Sequence, residues 1–273
     1  NEGMLINNYY VGQEIGEIWG YVTDGYYTID DFVEGILDAH LYGPDRQLKD
    51  GVPYIENAPT PLPGDIKYKD LNGDGIINSG NNTLITEYDE NGEMIPRTGP
   101  GDRKVIGNNN RKYQFGINGF VEYKGFDFSF LLSGVGKRDL NLNSDVIWPF
   151  PSEFDNIYAH QLDYWTPDNQ DAYYPRIYGN PEGNTNSNYG RSRWTQTKYL
   201  SDGSYLRIQN ITFGYTFPIQ LLNRVKMNRL RIFVAGDNLV TFDHLPTGLD
   251  PDQSANGAYP FMRNYSLGLN LTF

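Results

Sequence analysis

Residues 112–134 read KYQFGINGFVEYKGFDFSFLLSG. Tyr113, Phe115, Ile117, Val121 and Tyr123 fall at alternate positions, so they share one face of an extended strand. Lys124 and Gly125 make a two-residue turn. Beyond it Phe126, Phe128, Phe130 and Leu132 share one face of a second strand, with Asp127, Ser129 and Ser133 opposite. Two long strands joined by so short a turn form a hairpin.

The same length and alternation return three more times. In RNYSLGLNLTF, residues 263–273, Tyr265, Leu267, Leu269, Leu271 and Phe273 are apolar, while Asn264, Ser266, Gly268, Asn270 and Thr272 are polar or small. In GSYLRIQNITFGYTF, Ile211, Phe213, Tyr215 and Phe217 lie on one side; in RLRIFVAGDNLVTF, Leu230, Ile232 and Val234 do. At least five strands are therefore long and strongly apolar on one face. Their connections are unequal: Lys124-Gly125 is tight, whereas residues 137–200 form a long one. Outer-membrane barrels combine short turns at one end with long loops at the other. Aromatic residues at strand ends (Tyr113, Tyr123, Phe126, Phe217) suit an interfacial girdle. A soluble sandwich shares the period of two, so the alternation by itself leaves both architectures open.

The totals agree with a β protein rich in turns: 22 Tyr, 14 Phe and 30 Gly among 273 residues. No apolar run approaches the ~18 residues of a membrane helix, which leaves membrane strands untouched. With no Cys, disulfide scaffolds, thiolate metal sites and Cys nucleophiles are excluded. A net charge of -12 argues against nucleic acid as a partner. The chain opens NEGMLINNYY, with neither a basic nor an apolar leader region. The expectation is a cytosolic protein, or a mature or partial chain. In TIDDFVEGILDAHLYG, Thr28 is placed to cap a helix carrying Phe32, Ile36, Leu37 and His40 on one face and ending at Gly43-Pro44. A second short helix is expected from about Glu153 to Tyr164.

One motif carries metal chemistry. In DIKYKDLNGDGIINSGNN, residues 65–82, Asp70, Asn72 and Asp74 alternate, Gly75 supplies a turn residue, and Ile76 and Asn78 follow. These are the first, third, fifth, sixth, seventh and ninth positions of a calcium loop, with a backbone carbonyl expected from Ile76. Asn81 stands where the closing carboxylate belongs. The segment 81–100 reads as a β-hairpin turning at Glu90-Asn91-Gly92, and removing it brings Asp102 up to the vacant place. The calcium reading is thus an interrupted loop with Asp102 as returning ligand. An Asn/Asp/Gly turn without metal is the plain alternative.

Catalytic constellations are missing. His40, His160 and His244 lie far apart and in no metal-binding spacing, and there is neither a nucleophile elbow nor a phosphate-binding loop. The expectation is a protein that is not an enzyme. Tyr164, Trp165, Tyr173, Tyr174, Tyr178, Tyr189 and Trp194 in the long connection either stack on a ligand or pack the loop upon itself.

Read in order, GYVTDGYY (20–27), PGDIKYKDLNGDGIIN (63–78), DRKVIGN (102–108), the hairpin 112–134, YWTPDN (164–169), DGSYLRIQNITFGYTFP (202–218), LRIFVAGDNLVTF (230–242) and the final RNYSLGLNLTF resemble the C-terminal part of SusC-like TonB-dependent transporters of Bacteroidota. The resemblance covers nearly the whole chain. It implies an all-β chain: the last antiparallel transmembrane strands of a large plugged barrel of about 22 strands, with long extracellular loops carrying short helices. Residues 1–110 would hold a barrel strand, a helix and the calcium-type loop, and residues 111–273 the C-terminal strands. The plug is not among them. In relatives the DLNGDG loop runs directly into DR..IG, so residues 81–100 are a departure. The ending on Phe273 resembles the C-terminal strand signal read by the outer-membrane assembly machinery.

By the same resemblance the whole protein would import oligosaccharides, peptides or other large nutrients across the bacterial outer membrane. Energy would come from the TonB system through an N-terminal part, and a SusD-like lipoprotein would cover the extracellular mouth. Membrane lipid would meet the apolar faces, and a structural calcium would stiffen a loop. Two competing readings are a secreted, calcium-stabilised carbohydrate-binding β module and a glycoside hydrolase fragment, the latter needing a carboxylate pair that nothing marks out.

Overall fold

The computed structural model describes residues 10, 12–33, 47–88, 90–92, 94–143, 147–149, 157–177, 188–223, 226–246, 249–253 and 261–273. The chain divides into two compact units, one formed by residues 1–109 and 141–200, the other by residues 110–140 and 201–273. Strand dominates. The longest helix among the described residues, Asn188–Ser192, has five residues, and no described helix is long and apolar enough to cross a membrane.

The first unit is built from short strands: β1 (Glu17–Tyr21), β2 (Thr23–Tyr26), β3 (Tyr54–Ile55), β4 (Ile66–Tyr68), β5 (Ile76–Ile77), β6 (Asn81–Tyr88), β7 (Met94–Gly99) and β8 (Arg103–Asn108). They pair in twos: β1 with β8, β2 with β4 and β6 with β7 antiparallel, and β3 with β5 parallel. Strands this short bury little by alternation, and large side chains between them supply the core. Tyr27, Phe32, Ile66, Tyr68, Ile77, Trp148 and Tyr199 are almost wholly buried. So many buried tyrosines need acceptors for their hydroxyls. Tyr27 donates to the Pro53 carbonyl at 2.7 Å, Tyr68 to that of Arg191 at 2.7 Å and Tyr199 to that of Tyr173 at 2.8 Å.

Over its described residues, 28–33, the helix expected from Thr28 is not formed. A single 3-10 turn covers Ile29–Asp31, and Phe32 is already extended (φ -106°, ψ 155°), bridging to Leu48. The Asp31 carboxylate accepts the Thr28 N–H at 2.7 Å and an ion pair from Lys67 at 3.1 Å, while the Phe32 ring enters the core. Tertiary burial of one ring outweighs the helical pattern here. Residues 34–46 of that expected helix lie outside the described residues. Of the second expected helix, a 3-10 segment at Ala159–Leu162 is present, and residues 153–156 lie outside the described residues.

The second unit holds one five-stranded antiparallel sheet. Its strands are β9 (Gln114–Tyr123), β10 (Phe126–Val135), β13 (Tyr205–Thr216), β14 (Arg229–Asp243) and β15 (Asn264–Thr272), in the spatial order β15-β14-β13-β10-β9. Two three-residue strands, β11 (Asp139–Asn141) and β12 (Leu200–Asp202), stand where the chain passes between the units. The hairpin read from residues 112–134 is present. Tyr123 faces Phe126, and Lys124 and Gly125 both have positive φ (48° and 86°), the geometry of a type I′ turn. All five strands correspond to segments whose alternation was evident in the sequence.

Register decides what the sheet presents. Val121, Phe128, Phe213, Val234 and Leu267 stand in one row across the five strands; Tyr123, Phe126, Tyr215, Ile232 and Leu269 stand in the next. The other face carries rows such as Asn118, Leu131, Asn210, Asp237 and Asn264. The sheet is thus apolar on one side and mostly polar on the other. The apolar side lies open: Val121 is 58% exposed, Phe213 47%, Val234 50% and Leu267 78%.

Candidate functional site

Ten-residue strands at ~3.3 Å per residue are about 33 Å long, and at a barrel tilt of about 40° they cover about 25 Å, the height of the apolar band of an outer-membrane barrel. A soluble domain rarely leaves a contiguous apolar patch of this extent uncovered. Aromatic rings gather on the open face near the Lys124-Gly125 turn: Phe126 and Tyr215 lie 4.6 Å apart between centroids, and Tyr215 and Phe217 5.0 Å. Such rings, apolar in body with a polar tip on Tyr, suit the boundary between headgroups and acyl chains.

On the polar face two clusters of charge are held by the sheet. Asp127 on β10 and Arg231 on β14 are separated by β13, yet their side chains meet in a two-pronged contact of 2.9 and 2.5 Å. They can do so because Gly214 on β13 has no side chain: a Cβ there would lie 2.6 Å from both the Asp127 carboxylate and the Arg231 guanidinium. Asp127 and Arg231 each follow from the alternation as polar-face residues, but their meeting depends on register and on that glycine, neither of which is visible in sequence.

The second cluster pins residues 249–253 to the opposite end of the strands. Arg207, with its side chain 6% exposed, reaches both Asp250 oxygens at 2.8 and 2.6 Å and Asp252 at 3.3 Å, and donates to the Thr241 hydroxyl at 3.0 Å. Its guanidinium lies 5.2 Å from the Tyr205 ring and 4.8 Å from that of Phe261. Arg111 binds Asp252 at 2.9 Å and Arg138 donates to the Pro251 carbonyl at 2.8 Å. Removing the arginine leaves Asp250 without its forked partner, a loss of about 2–3 kcal/mol. Arg207→Met is therefore expected to speed protease cleavage within 249–253 by more than tenfold in the full-length protein. Arg207→Lys keeps the charge without the fork and falls between the two. An unchanged rate in Arg207→Met would show that the cluster does not hold the segment.

The calcium-type loop has the turn geometry its sequence specifies. Asp70 accepts the Gly73 N–H at 2.6 Å and the Gly75 N–H at 2.7 Å, and Gly73 and Gly75 both have φ of 81°. Asn72 accepts the Asp74 N–H at 3.0 Å, and Asp74 accepts the Ile76 N–H at 2.8 Å. The Gly75 N–H, with those of Gly73, Asp74 and Asn72, holds the Asp70 carboxyl below the usual carboxylate range. Ile77 is fully buried, anchoring the loop through the β3–β5 pair.

Asp102 does return to the loop across the inserted hairpin. Its carboxylate accepts the Leu71 N–H and the Asn78 N–H, each at 2.8 Å, and its own N–H donates to the Asn78 carbonyl at 3.1 Å. The hairpin leaves and re-enters at Gly80 and Gly101, both with positive φ (68° and 59°). A Cβ on Gly101 would come 2.5 Å from the Asn78 carbonyl, so the two glycines let the chain ends close together. Asn78 accepts the Gly80 N–H at 2.8 Å. Among the described residues no three His, Cys, Asp or Glu side chains form a group fit to hold a metal. A cation in this loop would draw on the Asn oxygens and the Ile76 carbonyl as well, a mixed oxygen set of the kind calcium accepts.

The aromatic residues of the long connection pack inward. Trp165 and Tyr174 are buried, Trp194 stacks on Tyr21 at 4.7 Å, and Tyr173 meets Tyr199 edge-on at 5.3 Å. The Tyr189 side chain and residue Tyr178 lie outside the described residues. The histidines are not assembled: His160 stacks on Tyr158 at 5.8 Å, His244 approaches Asp202 at 3.5 Å, and His40 is outside the described residues.

No family model matches the chain. Curated proteins do. TonB-dependent receptor P3 of Formosa agariphila is 28% identical over 278 residues, which is 96% of this chain and 22% of the receptor. TonB-dependent receptor SusC of Bacteroides thetaiotaomicron is 26% identical over 68% of this chain and 18% of its own length. A solved structure of the RagAB peptide transporter aligns over 94% of this chain and 23% of the transporter chain, with TM-score 0.53 and 16% identity, a likeness of fold. The resemblance read from the sequence thus holds over most of the chain, which spans about a fifth of the length of these curated relatives. Both are named as receptors.

Proposed function

We propose that this chain is part of the wall of an outer-membrane β-barrel that imports nutrients in a TonB-dependent manner. The observation that carries the reading is the five-stranded sheet with one open apolar face and one polar face. Its strands have the length a bilayer requires. Similarity to TonB-dependent receptors over 96% of the chain supports it. Among the described residues β9 and β15 are edge strands, each with one neighbour. Under this reading the rest of a longer polypeptide supplies the strands that pair with them, because an open edge has no place in hydrocarbon.

The remaining assignments follow in the same reading. The apolar rows face lipid and the polar face, with Asp127–Arg231, lines the lumen. The end with the Lys124-Gly125 turn is periplasmic; the end from which residues 136–204 and 244–263 leave is extracellular. A SusD-like lipoprotein is the partner at that mouth, and the cargo is an oligosaccharide or a peptide. Calcium is the cation of the 70–102 loop, held by Asp70, Asn72, Asp74, the Ile76 carbonyl, Asn78 and Asp102. It adds a fixed charge that stiffens the loop and takes no part in chemistry.

The test uses outer membranes of the source organism and an antibody against residues 202–218. On a denaturing gel the antibody is expected to find a band far heavier than 31.1 kDa whose mobility changes on boiling. A soluble species near 31.1 kDa with no heat effect would replace the barrel by the secreted carbohydrate-binding module.

A further inference from the structure

We infer that the open face carries a site for one anionic phospholipid of the periplasmic leaflet, with its acyl chain in a groove between β13 and β14 and its phosphate near Lys124. This rests on the membrane reading above and adds to it a specific ligand. The groove has a volume of about 280 Å³ and is lined by Phe213, Tyr215, Phe217, Ile232 and Val234, with Gly214 and Phe233 at its floor. That is below the ~300–1,000 Å³ of pockets that enclose a drug-sized molecule. It is open along one side and its walls are apolar, so it suits a length of hydrocarbon chain and not a whole polar ligand.

Charge stands on the turn beside one end of the groove, with the ring of Phe126 on β10 between Tyr123 and the groove wall. The Lys124 ammonium lies 5.1 Å from the centre of the outward-facing Tyr123 ring. Tyr123 faces Phe126 across the hairpin, and Phe126 packs on Tyr215, a wall of the groove, at 4.6 Å. A Cβ on Gly125 would lie 3.2 Å from the Tyr215 ring, so the turn bearing Lys124 closes the groove's end. In the membrane reading the lysine stem lies along the apolar surface beside Tyr123 and carries its ammonium to the headgroup layer. A phosphate there gains roughly what one basic residue near a membrane surface provides, about a fivefold preference for an anionic over a zwitterionic lipid.

The experiment places the photo-reactive analogue p-benzoylphenylalanine at Phe217, or at Ile117, which is 50% exposed on the same face but stands on β9, with β10 between it and the groove. The full-length protein is reconstituted in vesicles of equimolar phosphatidylglycerol and phosphatidylethanolamine, and the cross-linked lipid is identified by mass. The expected result is a phosphatidylglycerol adduct favoured about fivefold at position 217 and not favoured at 117. Lys124→Asn should abolish the preference, and since Asn-Gly is a preferred type I′ pair the variant keeps its turn. Equal ratios at the two positions, or a preference that survives Lys124→Asn, would overturn the site and leave the membrane reading standing. No lipid adduct at either position would overturn the membrane reading itself.

Discussion

Leu269→Arg is expected to stop the full-length protein from assembling in the outer membrane. Leu269 lies near the middle of β15, 55% exposed on the apolar face, in the row that runs through Ile232, Tyr215, Phe126 and Tyr123. An arginine on the lipid face of a barrel costs about 2–4 kcal/mol at the midplane and less toward the interfaces; at about 1–3 kcal/mol between the two, the assembled fraction falls roughly 5- to 150-fold where assembly is reversible. Ser266→Arg is the comparison. It stands on the same strand but on the polar face, opposite Ala235, where a wet lumen accepts the charge. Heat-modifiable mobility should be lost in the first variant and kept in the second. A Leu269→Arg protein exported in soluble, folded form would sink the lipid-facing assignment. Equal loss in both variants would mean that β15 is buried on both faces.

How much of this was legible in the sequence follows from where the information is local. The period of two in β9, β10 and β15 depends only on each residue and its next-but-one neighbour, so Tyr113 to Leu132 announce both strands and their faces. Lys124-Gly125 then sets the register of the first pair, because a two-residue turn permits few alternatives. The first unit offers no such handle. Its strands run from two to eight residues, and its core is made of side chains as far apart in sequence as Tyr68 and Trp194, which stack 5.9 Å apart. The pattern from Thr28 has the spacing of a helix, and its described part becomes a turn because Phe32 is needed in that core. That Asp102 returns to the 70–78 loop was within reach for a different reason: leaving out the hairpin 81–100 brings it up to that loop, where its carboxylate accepts the Leu71 and Asn78 N–H groups. Arg207 with Asp250 had no motif to announce it, although an arginine alternating with apolar neighbours in a strand can be assigned to the polar face.

Asp102→Ala is expected to loosen the 70–102 loop whether or not metal is present, and this separates two roles that the sequence motif merges. The Asp102 carboxylate is 0% exposed and accepts two backbone N–H groups, those of Leu71 and Asn78. Alanine leaves both without an acceptor, at about 1–3 kcal/mol each. Asp70 also accepts two N–H groups, from Gly73 and Gly75, but at an exposed turn where water can replace it. Its loss should cost far less in a chelator. A bound calcium at a hundredfold excess over its dissociation constant would add about 2.7 kcal/mol, and both variants should lose that increment. Protease cleavage between residues 70 and 102, followed in the full-length protein with calcium and with chelator, resolves the two. In chelator, Asp102→Ala should be cut at least tenfold faster than the parent and Asp70→Ala only slightly faster; calcium should slow the parent and neither variant. Calcium that slows none of the three removes the metal and leaves Asp102 as a clamp on the backbone. An Asp102→Ala loop as resistant as the parent in chelator would mean that the loop is closed by the β3–β5 pair and buried Ile77, not by the returning carboxylate.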